Sequence, residues 1–96
     1  MSSSEISPEF WERADEVIAL SNKQAEEADI GKVSSSTLYA AARFNAFNVA
    51  SSASDVEEMK KDKEEAIRYF TEQYQKMLTE NLEEYIESYE KHKPHG

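Results

Sequence analysis

From Leu38 to Ala50, ten of thirteen residues are apolar and none is acidic, within a chain whose formal net charge is −9. A helix that is apolar nearly all the way round is normally a buried one. At about 100° per residue, Leu38, Ala42, Ala46 and Val49 fall on one aliphatic face, and Ala40, Phe44 and Phe47 on an aromatic one. Two narrow seams separate them, one with Tyr39 and Arg43, the other with Ala41, Asn45 and Asn48. Two apolar faces require two packing partners. The pattern therefore predicts a central apolar helix sandwiched between two others, with Phe44 as a buried anchor.

The flanking segments supply those two helices. Ser7-Pro8-Glu9 is a strong helix opening, with Ser7 as N-cap, Pro8 in the first position and acids near the positive end of the dipole. An apolar stripe of Phe10, Trp11, Ala14, Val17, Ile18 and Ser21 then thins to Ala25 and Ala28, and Gly31 reads as the stop. Ser34 is the expected N-cap of the central helix, with Val33 and Leu38 as its hydrophobic staple; Ser35 and Ser36 are the alternative caps. Ser54 with Glu57, or Asp55 with Glu58, forms a capping box for the third helix. No Gly or Pro follows between Val56 and Lys91, and the apolar positions keep a step of about 3.67 residues from Ile67 to Tyr89, a curved face and not a strict heptad seam. Asn81 with Glu84 can cap a new helix, so a kink or break near 79–81 is the competing reading. The fold class is all-α, three long helices, the last either continuous or broken.

Length and composition narrow the picture without changing it. Ninety-six residues make one small domain over 1–96, with frayed ends expected at 1–6 and 92–96. Only two glycines and two prolines leave few turns, which favours long helices. Cysteine is absent, which removes disulfides, thiol nucleophiles and thiolate metal sites. There is no apolar run long enough to span a bilayer and no basic-then-apolar leader, so the expected location is the cytoplasm. Charge is unevenly spread: residues 1–29 balance to −6, residues 30–54 to +2, and residues 55–96 to −5. Such an acidic shell repels phosphate backbones and anionic lipid, so neither nucleic acid nor membrane is an expected partner.

At this point the residues resemble a known family. Phe10-Trp11, Arg13-Ala14-Asp15, Gly31-Lys32-Val33-Ser34 and above all the run from Leu38 to Phe47 look like a family of short acidic bacterial proteins catalogued only as a domain of unknown function. The resemblance continues through 62–66, 76–78 and 80–82. It implies no activity, cofactor or site residues.

Candidate chemistry is sparse. Tyr39, Arg43, Asn45 and Asn48 are the candidate polar site, since a guanidinium and amides can grip a small anion. The plainer reading has Arg43 paired with an acid on a neighbouring helix and the asparagines bridging backbone. Glu80, Glu83, Glu84 and Glu87, with Tyr85 and Tyr89, are the candidate docking surface. No Glu-x-x-His pairs exist for a carboxylate-bridged metal centre, and the two histidines, His92 and His95, lie in the tail. No serine has a base beside it. The expectation is a non-enzymatic protein–protein interaction module without cofactor or metal. The alternatives are an acidic regulator on the basic surface of a nucleic-acid-binding protein, and a binder of a small anion at Arg43. A helix over 56–91 is about 54 Å long if straight, far more than a compact 96-residue chain can cover, so a homodimer is expected.

Overall fold

The computed structural model describes residues 6–91, with side chains through Glu90. The termini expected to fray, Ile6 apart, and both histidines lie outside the described residues. Three helices account for most of what is described: α1 (Pro8–Gln24), α2 (Ile30–Ser52) and α3 (Val56–Lys91). No described residue is in a strand. The chain groups into two compact units, Met1–Ser51 and Ser52–Gly96, the second built on α3 alone. A lone helix satisfies its backbone internally but has nothing of its own to bury an apolar stripe against.

In the first unit α1 opens as its sequence directs. Ser7 is extended and its hydroxyl accepts from the Phe10 N–H at 3.2 Å, with Pro8 in the first turn. The exit differs from expectation. The helix ends at Gln24, and the N–H groups of Glu26, Glu27 and Ala28 turn back onto Lys23 and Gln24 carbonyls. Asp29 then starts α2: its side chain accepts from the Gly31 N–H at 3.0 Å, and its carbonyl accepts from Lys32 and Val33. Gly31 is therefore not a stop. No glycine among the described residues has a positive φ, and Gly31 lies in the first turn, where a Cβ would come 3.0 Å from the Asp29 carboxylate it serves. Ser34 is likewise inside the helix, so the expected Ser34 cap and Val33–Leu38 staple are displaced by a whole turn.

The five-residue connection folds α1 and α2 into an antiparallel hairpin. Its interior is small. Val33, 7% exposed, is the one buried residue among those described, and Ala14, Ser21, Ala25 and Thr37 are half-buried. Ser21 and Thr37 meet hydroxyl to hydroxyl at 3.1 Å across the pair. Each is also within hydrogen-bond distance of the carbonyl one turn back, Val17 at 3.0 Å and Val33 at 2.9 Å. Two hydroxyl protons thus serve three contacts, and the bond between helices forms only when one hydroxyl releases its own backbone.

Burial is where the sequence reading needs correction. Phe44 is 68% exposed, Phe47 63% and Leu38 52%, and Ala42 and Ala46 are exposed as well. The two rings lean on each other, with centroids 5.9 Å apart, but neither is enclosed. An all-round apolar sequence names faces that prefer cover; the cover itself has to come from elsewhere.

In the second unit Asp55 caps α3, its carboxylate accepting from the Glu58 N–H at 2.8 Å. Glu58 reaches back and accepts from the Ser54 N–H at 3.1 Å and from the Ser54 hydroxyl. The Asp55–Glu58 box is thus the one that forms, shifted so that the glutamate satisfies the residue before the cap. The Ser54 hydroxyl first, then its N–H, hold Glu58 below the ordinary glutamate value of 4.5. The helix that follows is unbroken over 36 residues. Asn81 caps nothing; its side-chain amide donates to the Met77 carbonyl at 2.7 Å inside the helix, and no break occurs at 79–81.

Stability should follow burial and caps, not hydrophobicity. In urea melts Val33→Ala is expected to cost about 2 kcal/mol, for two buried methyl-sized groups plus the space they leave. Phe44→Ala should cost less than about 1 kcal/mol. Asp29→Ala should cost about 1 kcal/mol through loss of the cap. A Phe44→Ala loss larger than that of Val33→Ala would overturn this order.

The Glu58 box makes a pH prediction of definite sign. A depressed folded value means that the cap contributes above pH 4.5 and is lost as pH falls through the folded value. In an NMR titration Glu58 should titrate below the ordinary glutamate value of 4.5, and Ser54→Ala should move it back up. An unchanged midpoint in Ser54→Ala would remove the hydroxyl as the cause.

Candidate functional site

The four residues of the expected polar site all lie on α2, and the helix keeps them in two groups. Tyr39 and Arg43, four apart, share one flank; Asn45 and Asn48 lie roughly 180–240° round from Tyr39. Tyr39 and Arg43 are exposed, Asn48 is exposed, and Asn45 is half-buried. No single pocket gathers a guanidinium and two amides. Arg43, expected to meet an acid from another helix, makes no ion pair among the described residues; the salt bridge present is Lys60–Glu57, 3.6 Å apart on the exposed start of α3. Nothing desolvates Arg43 enough to demand a counter-ion, which is why its guanidinium is tolerated without an ion pair.

What Arg43 does have is neighbours of another kind. Phe44 and Phe47 are exposed beside it, Tyr39 lies one turn before it, and no acid occurs between Ile30 and Ser54. The flank is an open aromatic surface with one positive charge.

The expected docking surface on α3 also divides. Glu80, Glu83, Glu84 and Glu87 fall within about 100° of one another, a continuous acidic face, all exposed. Tyr85 and Tyr89 point to the opposite side, where they continue a stripe with Ile67, Tyr74, Leu78 and Leu82. The acids and the aromatics that the sequence placed in one patch are therefore two surfaces. Glu58, the carboxylate with a shifted ionisation, belongs to neither; its shift is explained by the cap.

A shallow groove lies at the turn between α1 and α2, lined by Gln24, Glu27, Ala28, Lys32, Val33 and Ser36. It is open, and Lys32 and Glu27 stand on it with no other chemistry converging. Among the described residues, no three His, Asp or Glu side chains are grouped to hold a metal ion. Among the same residues no helix is long and apolar enough to cross a membrane.

The sequence reasoning missed one structural contact, Ser21 with Thr37. Ser21 sat within the apolar stripe of α1, which was the available signal; Thr37 was hidden among the serines that read as caps.

Among solved structures, the NMR structure of a protein from a Shewanella species is similar to this chain, with a TM-score of 0.74 and 37% sequence identity, covering 88% of this chain and 91% of that one. No curated protein matches. The family model described as "Protein of unknown function (DUF3144)" matches residues 10–86, a span that contains the runs from Phe10-Trp11 to Asn81-Leu82, and the chain belongs to that family.

Proposed function

We propose that this chain is a non-enzymatic helical module of the cytoplasm that works by recognising another protein, and that the aromatic flank of α2 is the surface it uses. The observation that carries this reading is the exposure of Phe44 and Phe47 together with Tyr39. Large apolar side chains scattered singly on a surface need no explanation, but a contiguous group does. Phe, Tyr and Arg are the residue types that anchor interfaces, because each brings large contact area at low conformational cost. The acid-free character of residues 30–54 adds support: a charge at the centre of an interface must be desolvated, and here only Arg43 would be.

The acidic face of α3 supports a second reading, docking onto a basic partner, and salt separates the two. An apolar contact survives high salt; a charge-driven one is screened.

The test is capture of partners from the native cell by tagged wild type and by a Phe44→Glu/Phe47→Glu variant, at low and high salt. Both rings are exposed, so the variant should keep its helical circular dichroism. The expected result is a partner retained by wild type through high salt and lost, by tenfold or more, from the variant. Equal capture by both proteins removes the α2 surface. Capture by both that disappears at high salt transfers the role to the glutamates of α3.

A further inference from the structure

A second surface is open on α3, and the α2 reading does not use it. Ile67, Tyr74, Leu78, Leu82, Tyr85 and Tyr89 line one side of the helix for about 33 Å, and each is 44–63% exposed. The half-buried residues Ala66, Phe70, Gln73 and Ser88 lie on a different side, roughly 60–140° round from the centre of that stripe. The stripe is therefore a face of its own, distinct from the side that carries those residues. With aromatic side chains burying ~150–250 Å² each, six half-exposed side chains present on the order of 600 Å². The stems of flanking charged side chains bring that near the ~800 Å² per partner of a standard interface.

The charge along α3 says what fits it. Every base of α3 whose side chain is described (Lys60, Lys61, Lys63, Arg68 and Lys76) lies before Met77, and from Met77 to Glu90 there are five glutamates and no base. A second copy lying parallel would set five glutamates against five glutamates. An antiparallel copy centred near Leu78 sets them instead against residues 66–76, which hold Arg68 and Lys76 with the single acid Glu72. The flanks agree with this arrangement. Arg68 lies on the same flank of the stripe as Glu83 and Glu90, about 80–140° from its centre, and in an antiparallel pair centred near Leu78, where like flanks meet, it stands within a turn of Glu90 of the second copy. We propose that the open stripe of α3 is a self-recognition surface, occupied by α3 of a second copy of this chain running antiparallel, with the two-fold axis near Leu78. A two-fold contact of one patch with itself is the commonest way a soluble chain covers such a face.

The test uses the full chain, by light scattering behind size exclusion at micromolar concentration. The expected mass is twice the 11.0 kDa of one chain, and Leu82→Glu should return it to one chain with helical circular dichroism unchanged. Because the chain has no cysteine, single introduced cysteines report the geometry. Leu78→Cys should give a disulfide-linked pair on mild oxidation, and Tyr89→Cys should not, since its two copies would stand about 33 Å apart. A mass of one chain for the wild type overturns the proposal. So does a doubled mass that Leu82→Glu leaves intact, which moves the contact off α3. Cross-linking through both cysteines overturns the antiparallel arrangement. None of these outcomes depends on partner capture through Phe44 and Phe47, so the two readings fail separately.

Discussion

The hydrogen bond from the Gly31 N–H to the Asp29 carboxylate caps α2 early enough to bring Val33 inside the helix. A helix turns about 100° per residue, so the residue that starts it decides which side chains face the neighbouring helix. Beginning α2 at Ile30 puts Val33 and then Thr37 toward α1, opposite Ala25 and Ser21. Each of these four is small or β-branched, which lets two helices approach across a five-residue turn. Beginning instead at Ser34 would leave Val33 outside the helix, with no assigned face. The carboxylate thus does more than satisfy one N–H. It sets the register of the only buried residue described.

Much of the architecture was legible because helix ends are written locally. Ser7-Pro8 and Asp55-x-x-Glu58 each contain the atoms that satisfy the free N–H groups, and both formed. Gly31 was misread because glycine has two uses near a helix end. It frees the backbone for a left-handed stop, and it also makes room beside an N-cap; only the second applies here. Three consecutive serines then offered a plausible cap one turn too late. Asn81 posed the same ambiguity in α3, since an amide can cap a helix or bond back to the carbonyl one turn before.

The candidate sites were less legible, and for a different reason. Periodicity tells which side chains share a face; it carries no information about what covers that face. Phe44 and Phe47 were assigned to an interior because their helix is apolar all round, yet they are open. Tyr85 and Tyr89 were grouped with the glutamates between and around them because they are close in sequence, although four residues of helix are enough to bring a side chain back to its own face and half a turn is enough to oppose it. Proximity along a helix is proximity in space only at spacings of three and four.

Charge and apolar surface have to be considered together in this chain. A net charge of −9 on 96 residues repels other copies at long range, a field that keeps an open apolar surface from associating indiscriminately. That repulsion is screened beyond roughly 8–10 Å at physiological salt, so it governs encounter more than contact. At contact the local arrangement decides instead. On α3 the stretch from Met77 to Glu90 holds five glutamates and no base, so two copies in parallel set glutamates against glutamates while the antiparallel arrangement lessens that contact. Acidity of this kind selects among arrangements; it does not forbid assembly. The acid-free surface of α2 obeys the opposite logic. With one arginine among exposed rings, it imposes little electrostatic selection, and its specificity has to come from the shape of Phe44, Phe47 and Tyr39 against whatever apolar surface fills the space around them.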